Sequence, residues 1–297
     1  MKLRQISIFL FLSVAWGSNF IFVKLSTAYI SPLQVTLLRV LSGFVPILAY
    51  AIFCRHISVD HIRHMRHSAA MASFSTIGFL AVTKGTALLP SSVAGMLNGA
   101  SPIFAFACAA LFLDSERIDS RKIIGVAVGF VGIVLIAKPW SIDGTIDIRG
   151  VGWMALGALS LGGSFVYVKK YVVRLNIPPS ALAVYQIGIT IVVLLIVTPF
   201  EGTGAVFADT RAWTGLLFGL GLCGTGLAYI AYYRIVEELG ALAASGVAYA
   251  VPVVAVLIGT VLFDEPLAVL DIVAMSLICS GVFMIQSDLL KGRKSSG

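Results

Sequence analysis

Two short stretches, Asn19-Phe-Ile-Phe-Val-Lys24 and Ser164-Phe-Val-Tyr-Val-Lys169, each lie inside a long apolar run and share one order of side chains. Both read polar, Phe, β-branched, aromatic, Val, Lys. The likeness extends outward from them. Pro102 and the later Leu113-Asp-Ser-Glu116 match Pro252 and Leu262-Phe-Asp-Glu265, Ile30-Ser-Pro32 matches Asn176-Ile-Pro178, and Gly132 matches Gly281. The separation stays between 145 and 150 residues throughout. Similarity held at a fixed offset marks an internal duplication, which chance apolar resemblance does not produce.

A helix needs about 20 apolar residues to cross roughly 30 Å of hydrocarbon. By that measure spans fall near 6–26, 31–53, 68–88, 91–113, 121–138, 151–170, 179–199, 211–234, 241–263 and 267–286. Residues 1–140 and 150–290 each hold five of them, joined by short connections. An odd number of spans per copy turns the second copy upside down relative to the first. The sequence thus predicts an all-α integral membrane protein of ten helices, arranged as two inverted five-helix repeats.

Composition agrees. Of 297 residues, 59% are apolar and 12% charged, with mean hydropathy +0.99, whereas a soluble domain carries about 25% charged residues. The net charge of +7 sits in short runs between apolar segments, so it reads as a topology signal rather than a nucleic-acid patch. With the N-terminus inside, fifteen Lys and Arg fall on inner segments. Five fall outside (Lys24, Lys84, Lys138, Arg149, Arg211), and Arg39 lies within the second span. Both termini are therefore predicted cytoplasmic. Trp16, Asn19 and Lys24 make the first run a retained helix rather than a signal peptide. Cys54, Cys108, Cys223 and Cys279 are scattered without disulfide or metal spacing.

The Ala15-Trp-Gly-Ser-Asn-Phe-Ile-Phe-Val-Lys24 start, Arg39, the Pro102…Glu116 and Pro252…Glu265 pairs and the duplicated plan resemble the drug/metabolite transporter superfamily, EamA-type. The resemblance covers essentially the whole chain. It implies transport of amino acids, other small metabolites or drugs, typically outward across the bacterial inner membrane. It is almost silent on which of these is carried.

Polar side chains in hydrocarbon are costly and tend to face a cavity or a partner helix. Asn19, Arg39, Asn98, Ser164, Tyr167, Gln186, Tyr229 and Tyr249 are accordingly the candidates to line a cavity between the halves. The alternative for each is interhelical hydrogen bonding, worth about 0.6 kcal/mol per contact. Asn19, Asn98 and Tyr249 read as cavity-lining, since an amide or phenol offers a substrate both donor and acceptor. Arg39 fits contact with an anionic group, capping of carbonyls in a broken helix, or snorkelling along its own span. Pro102 and Pro252 interrupt the helical ladder at matching positions, as hinges or as static kinks. Lys24 and Lys84 read as interfacial anchors, and Glu116 and Glu265 as caps or ion pairs at the rim.

Other features narrow the class. No Asp or Glu falls near a midplane, so the sequence carries no sign of proton coupling. His56, His61, His64 and His67 share one loop with Arg55, Arg63 and Arg66. That is expected to be a solvated basic loop, with a metal or pH-sensing patch as the alternative. No phosphate-cradling glycine loop and no Ser/His/Asp set can be assembled, which speaks against an ATP-driven pump and an enzyme. Gly95-x-x-x-Gly99, Gly125-x-x-x-Gly129 and Gly215-x-x-x-Gly219 suit close packing within the chain or in a homodimer. The expected protein is an alternating-access carrier of small organic solutes, with the bilayer and its solute as partners and no cofactor or metal. Export of amino acids or related metabolites leads; multidrug efflux and a lipid flippase subunit are the alternatives.

Overall fold

The computed structural model describes residues 3–113, 118–138 and 146–291, and Glu116 lies outside them. Among the described residues the chain is all-helical and forms ten rods. The first is Leu3–Gly17 followed by Asn19–Thr27, the second Pro32–Phe53, the third Met65–Leu88 and the fifth Ser120–Ala137. The fourth is split into Ser91–Asn98 and Ser101–Phe112. The sixth is Ile148–Tyr167 with a π-helical end, the seventh Pro179–Val197 and the tenth Val269–Lys291. The eighth runs from Thr210 through a π-helix, Gly215–Leu227, into Ala228–Ser245, which leaves the ninth only Val247–Phe263.

Eight rods are long and apolar enough to cross a bilayer unaided. The ninth is apolar but has 17 residues. The third has 24 residues but spends its polar side chains on neighbours. Thr83 receives the hydroxyl of Thr36 at 3.2 Å, Thr76 donates to Thr190 at 3.2 Å, and the carbonyl of Phe74 accepts from Ser160. A span surrounded by protein need not be apolar all round. Elsewhere the surface is apolar, with Ile196 79% and Val261 70% exposed, as lipid contact requires.

Helix starts follow from local chemistry. Ser31 and Gln34 form a capping box ahead of the second span, with Pro32 at its first position. Asp119 and Asp209 accept backbone N–H bonds from Lys122 and Ala212, satisfying donors that a helix start leaves open.

The packing obeys the duplication. The third span lies on the sixth and the eighth on the first; the second lies on the eighth and the seventh on the third; the fourth lies on the sixth and the ninth on the first. The pairs fourth–ninth, fifth–tenth and second–seventh are their own counterparts and mark the pseudo-twofold axis. The fifth and tenth spans run antiparallel at this seam. A Cβ on Gly281 would lie 2.4 Å from the carbonyl oxygen of Gly125, and one on Gly132 would lie 2.6 Å from that of Ala274. The repeat offset exchanges these two contacts. The three glycine pairs noted in the sequence all pack inside the chain: Gly95 on Ala255, Gly125 and Gly129 on Gly281 or its neighbours, Gly215 and Gly219 on Phe22.

Gly281→Val should lower the melting temperature of the purified protein, since overpacking costs about 1–3 kcal/mol. Gly152→Val, where a Cβ meets nothing within 4 Å, should leave it unchanged. Equal melting temperatures for the two variants would show that the seam is not tightly packed.

Candidate functional site

The eighth span is where two helices from the first half come closest to the second. Its stretch Gly221-Leu-Cys-Gly-Thr-Gly226 is nearly free of bulk on one side, which lets backbones approach. A Cβ at Gly221 would sit 1.7 Å from the hydroxyl oxygen of Ser42, and one at Gly224 would sit 2.0 Å from Oδ1 of Asn19. Pro46, inside the second span, fills the space over Gly226. The backbone here is π-helical, and the hydroxyl of Thr225 donates to the carbonyl of Leu220, five residues back, at 3.0 Å. π-Helical turns often coincide with functional sites.

Two buried polar side chains meet this stretch from opposite helices. Asn19 begins the second segment of the first span and is 8% exposed. Its Oδ1 is buried and has no hydrogen-bond partner. Arg39 lies in the second span and is 7% exposed. Its Nε donates to Oγ1 of Thr225 at 2.9 Å, and its guanidinium carbon sits 4.8 Å from the ring centre of Phe79. Tyr229 lies one turn on from Thr225 along the same span. A run of rings leads away from this centre: Tyr229 to Tyr233 at 6.1 Å, Tyr233 to Tyr232 at 6.3 Å, and Tyr232 to Trp16 at 5.5 Å.

The remaining candidates do not gather here. The hydroxyl of Tyr249 donates to Gln286 on the tenth span at 3.0 Å, and Ser164 bonds back to the carbonyl of Leu161 on its own helix. Tyr167 meets Nδ1 of His67 at 2.9 Å, near the face that holds the N-terminus. Gln186 is buried within the seventh span. Asn98 ends the first segment of the fourth span, where its carbonyl accepts from the hydroxyl of Ser101 at 2.7 Å.

That last bond accounts for a difference between the repeats. Pro102 has no N–H to offer the Asn98 carbonyl four residues back, and the Ser101 hydroxyl satisfies it instead; the fourth span breaks at Gly99–Ala100 and Pro102 stands at the start of a new helix. There its missing N–H costs nothing. Pro252 instead stays inside the unbroken Val247–Phe263 helix, against Gly99, where Val251 has no hydroxyl to offer. Pro46, a third proline within a span, was not singled out in the sequence. Its signal would have been the glycine facing it, which only the fold reveals.

Both ends of the centre are tied. On the N-terminal face the histidine loop is not a freely solvated one. His56 meets the hydroxyl of Ser180 at 2.6 Å, His61 that of Tyr185 at 3.3 Å, and His67 that of Tyr167. Three histidines of the first half thus bind three hydroxyls of the second. On the opposite face Lys24 binds the end of a neighbouring span. Its Nζ donates to the carbonyls of Ala87 and Leu89 at 3.1 and 2.9 Å, closing the end of the third span. Glu265 accepts from the N–H of Ser91 and of Ser92 and from the Ser91 hydroxyl, all at 2.8 Å, and so caps the fourth span. Lys138 pairs with Asp271 at 2.9 Å on the same face. Lys84 rests over Trp153 at 4.5 Å. A pocket of about 460 Å³ opens beside these ties, lined by Tyr29, Gln34 and Glu201 among others. It is a rim vestibule and reaches neither Asn19 nor Arg39. No cluster of metal-binding side chains occurs among the described residues.

A duplicated, inverted bundle of membrane-crossing helices that encloses a polar centre defines a multi-pass membrane transporter. The chain belongs to the EamA-like transporter family, which matches residues 3–138 and 148–287. It is similar to an uncharacterised transporter of Archaeoglobus fulgidus, 24% identical over 91% of this chain and 94% of that protein. An uncharacterised inner membrane transporter of Escherichia coli, YedA, is also 24% identical, over 92% of this chain and 88% of that one. A riboflavin transporter of Rhizobium johnstonii is 29% identical over 74% and 70%. A solved crystal structure of the same fold superposes with TM-score 0.60 at 19% identity, covering 97% of this chain and 98% of that chain.

Burial raises the Glu265 carboxyl, but the donors of Ser92 and Ser91 outweigh it and hold the group below the usual carboxylate range. Stability from this cap is then fully present above the ordinary carboxylate value and lost as pH falls through the lower folded value. The melting temperature of wild type should exceed that of Glu265→Gln at neutral pH, and the gap should shrink as pH falls below the ordinary carboxylate range. A gap unchanged down to pH 3 would remove the cap from this account.

Proposed function

We propose that this protein is an alternating-access secondary transporter that exports small organic solutes, amino acids or related metabolites, across the inner membrane, with both termini in the cytoplasm. The observation that carries the reading is the enclosed polar centre at Asn19, Arg39, Thr225 and Tyr229, held between ties at either face. Such a centre is costly for a protein whose only task is to sit in lipid. It lies where a first-half span pair meets a second-half span, so rocking of the halves would expose it to each side in turn. The split of the fourth span beside Pro102, and Pro252 against it, supply weak points in the backbone at the same interface. The basic residues concentrated on the N-terminal face support the cytoplasmic assignment.

A second reading, a flat aromatic solute, is favoured by the Trp16–Tyr232–Tyr233–Tyr229 run of rings. The name of the Rhizobium relative points the same way.

Cells expressing the protein and preloaded with a mass-tagged mixture of amino acids, metabolites and riboflavin should lose one chemical class faster than cells without it. Asn19→Leu should cut that loss by about tenfold, the worth of one or two hydrogen bonds in a dry site. Faster loss of flavin alone would select the second reading. No accelerated loss of any solute, in either direction of loading, would overturn export of the classes tested.

A further inference from the structure

We infer that Arg39 and Asn19 form a receptor for a solute that carries a single carboxylate and a hydrogen-bond donor beside it. The inference rests on the transporter reading and names the chemical class that this centre would take. A guanidinium has five N–H donors and cannot be deprotonated in a protein. Among the described residues Arg39 donates one of them, Nε–H to Thr225, and lays its face on Phe79. The edge bearing its two terminal nitrogens has no hydrogen-bond partner there. No carboxylate pairs with it either: the described ion pairs join Arg4 to Glu238, Arg63 to Asp60, Lys138 to Asp271 and Arg149 to Asp147, all at helix ends or in loops.

Two bland roles left open by the sequence fail on this geometry. A snorkelling arginine would carry its head to water, yet Arg39 is 7% exposed and points at the eighth span. An arginine capping a broken helix would donate to carbonyls, and the acceptor here is a hydroxyl. That hydroxyl has its own proton committed to the Leu220 carbonyl, so its lone pair is fixed toward Arg39. The arginine is therefore oriented by Thr225 while its terminal edge stays free. A planar fork with two free parallel donors matches a carboxylate.

The fork itself selects the anion: one guanidinium edge matches one carboxylate, whereas a phosphate monoester brings nearly two negative charges. Asn19 supplies the second half of the recognition. Its Oδ1 is buried, unpartnered and packed on Gly224, the residue next to the Thr225 that holds Arg39. A free acceptor calls for a donor on the solute. An unpaired donor edge on Arg39, held by Thr225, and an unpaired acceptor on Asn19, packed on Gly224, thus describe a ligand with both groups.

The test uses full-length protein in proteoliposomes and in detergent, with paired probes that differ only in charge: phenylalanine and phenylalaninamide, 3-phenylpropionate and its amide, and inorganic phosphate. Each is measured as a competitor of counterflow and by the shift in melting temperature. The carboxylates should bind at least about tenfold more tightly than their amides, and phosphate should not compete. Arg39→Gln should erase the preference, and Arg39→Lys, which keeps the charge without the fork, should recover part of it. Asn19→Leu should weaken phenylalanine more than 3-phenylpropionate. Equal binding of acid and amide to wild type would overturn the inference even if Arg39→Gln failed to fold, as would tighter binding of phosphate than of any carboxylate. Flux of riboflavin that Arg39→Gln leaves intact would overturn the receptor and keep the transporter. Carboxylate binding that depends on Arg39 without flux of any probe would keep the receptor and overturn the transport reading.

Discussion

Inside a bilayer every backbone polar group must find its partner within the protein, because lipid offers none. That constraint organises this molecule around the bare backbone of Gly221, Gly224 and Gly226. Where side chains are absent, the first and second spans can lie directly on the eighth. The π-helical turn supplies a hydroxyl, Thr225, at the depth where Arg39 needs one. A bulkier eighth span would hold the halves apart and leave the arginine facing lipid. Close packing and the polar centre are thus one feature seen from two sides.

The two faces are closed by different chemistry. On the N-terminal side, histidine rings and hydroxyls hydrogen-bond across the halves. On the other side, a lysine caps the carbonyls that end the third span and a glutamate caps the amides that begin the fourth. Both bonds there use the partial charges that helix ends carry. A turn pinned at both of its helix ends resists movement, while the fourth span has its own break about two turns further in. The Glu265 tie and the break both lie on the fourth span, and Gly99 at the break faces Pro252 of the ninth.

Much of the fold was legible in the chain. Number and length of spans depend on apolar run length, duplication on a constant offset, and inversion on the parity of five. None of these needs to know which way a helix is turned. The limits fell where the backbone departs from a plain helix. The eighth span runs on to Ser245 because its π-helical stretch and polar end hide its continuity, and the ninth is correspondingly shorter. The third span, read from the sequence at 68–88 and observed as Met65–Leu88, has threonines that face other helices.

The site was legible only as a list of residue types. Asn19 and Arg39 meet the same stretch of the eighth span, while Tyr249, Ser164 and Tyr167 take partners elsewhere. Thr225 and Phe79 gave no signal, being an ordinary threonine and an ordinary phenylalanine until Arg39 lies between them. What the sequence determined by itself was membrane residence, ten crossings and a duplicated plan, because hydrophobic length and repetition are properties of the chain in one dimension. What tertiary structure alone decided was which polar atoms are matched and which are left free. That depends on the rotation and depth of helices more than a hundred residues apart, and a glycine on one of them sets it by allowing contact.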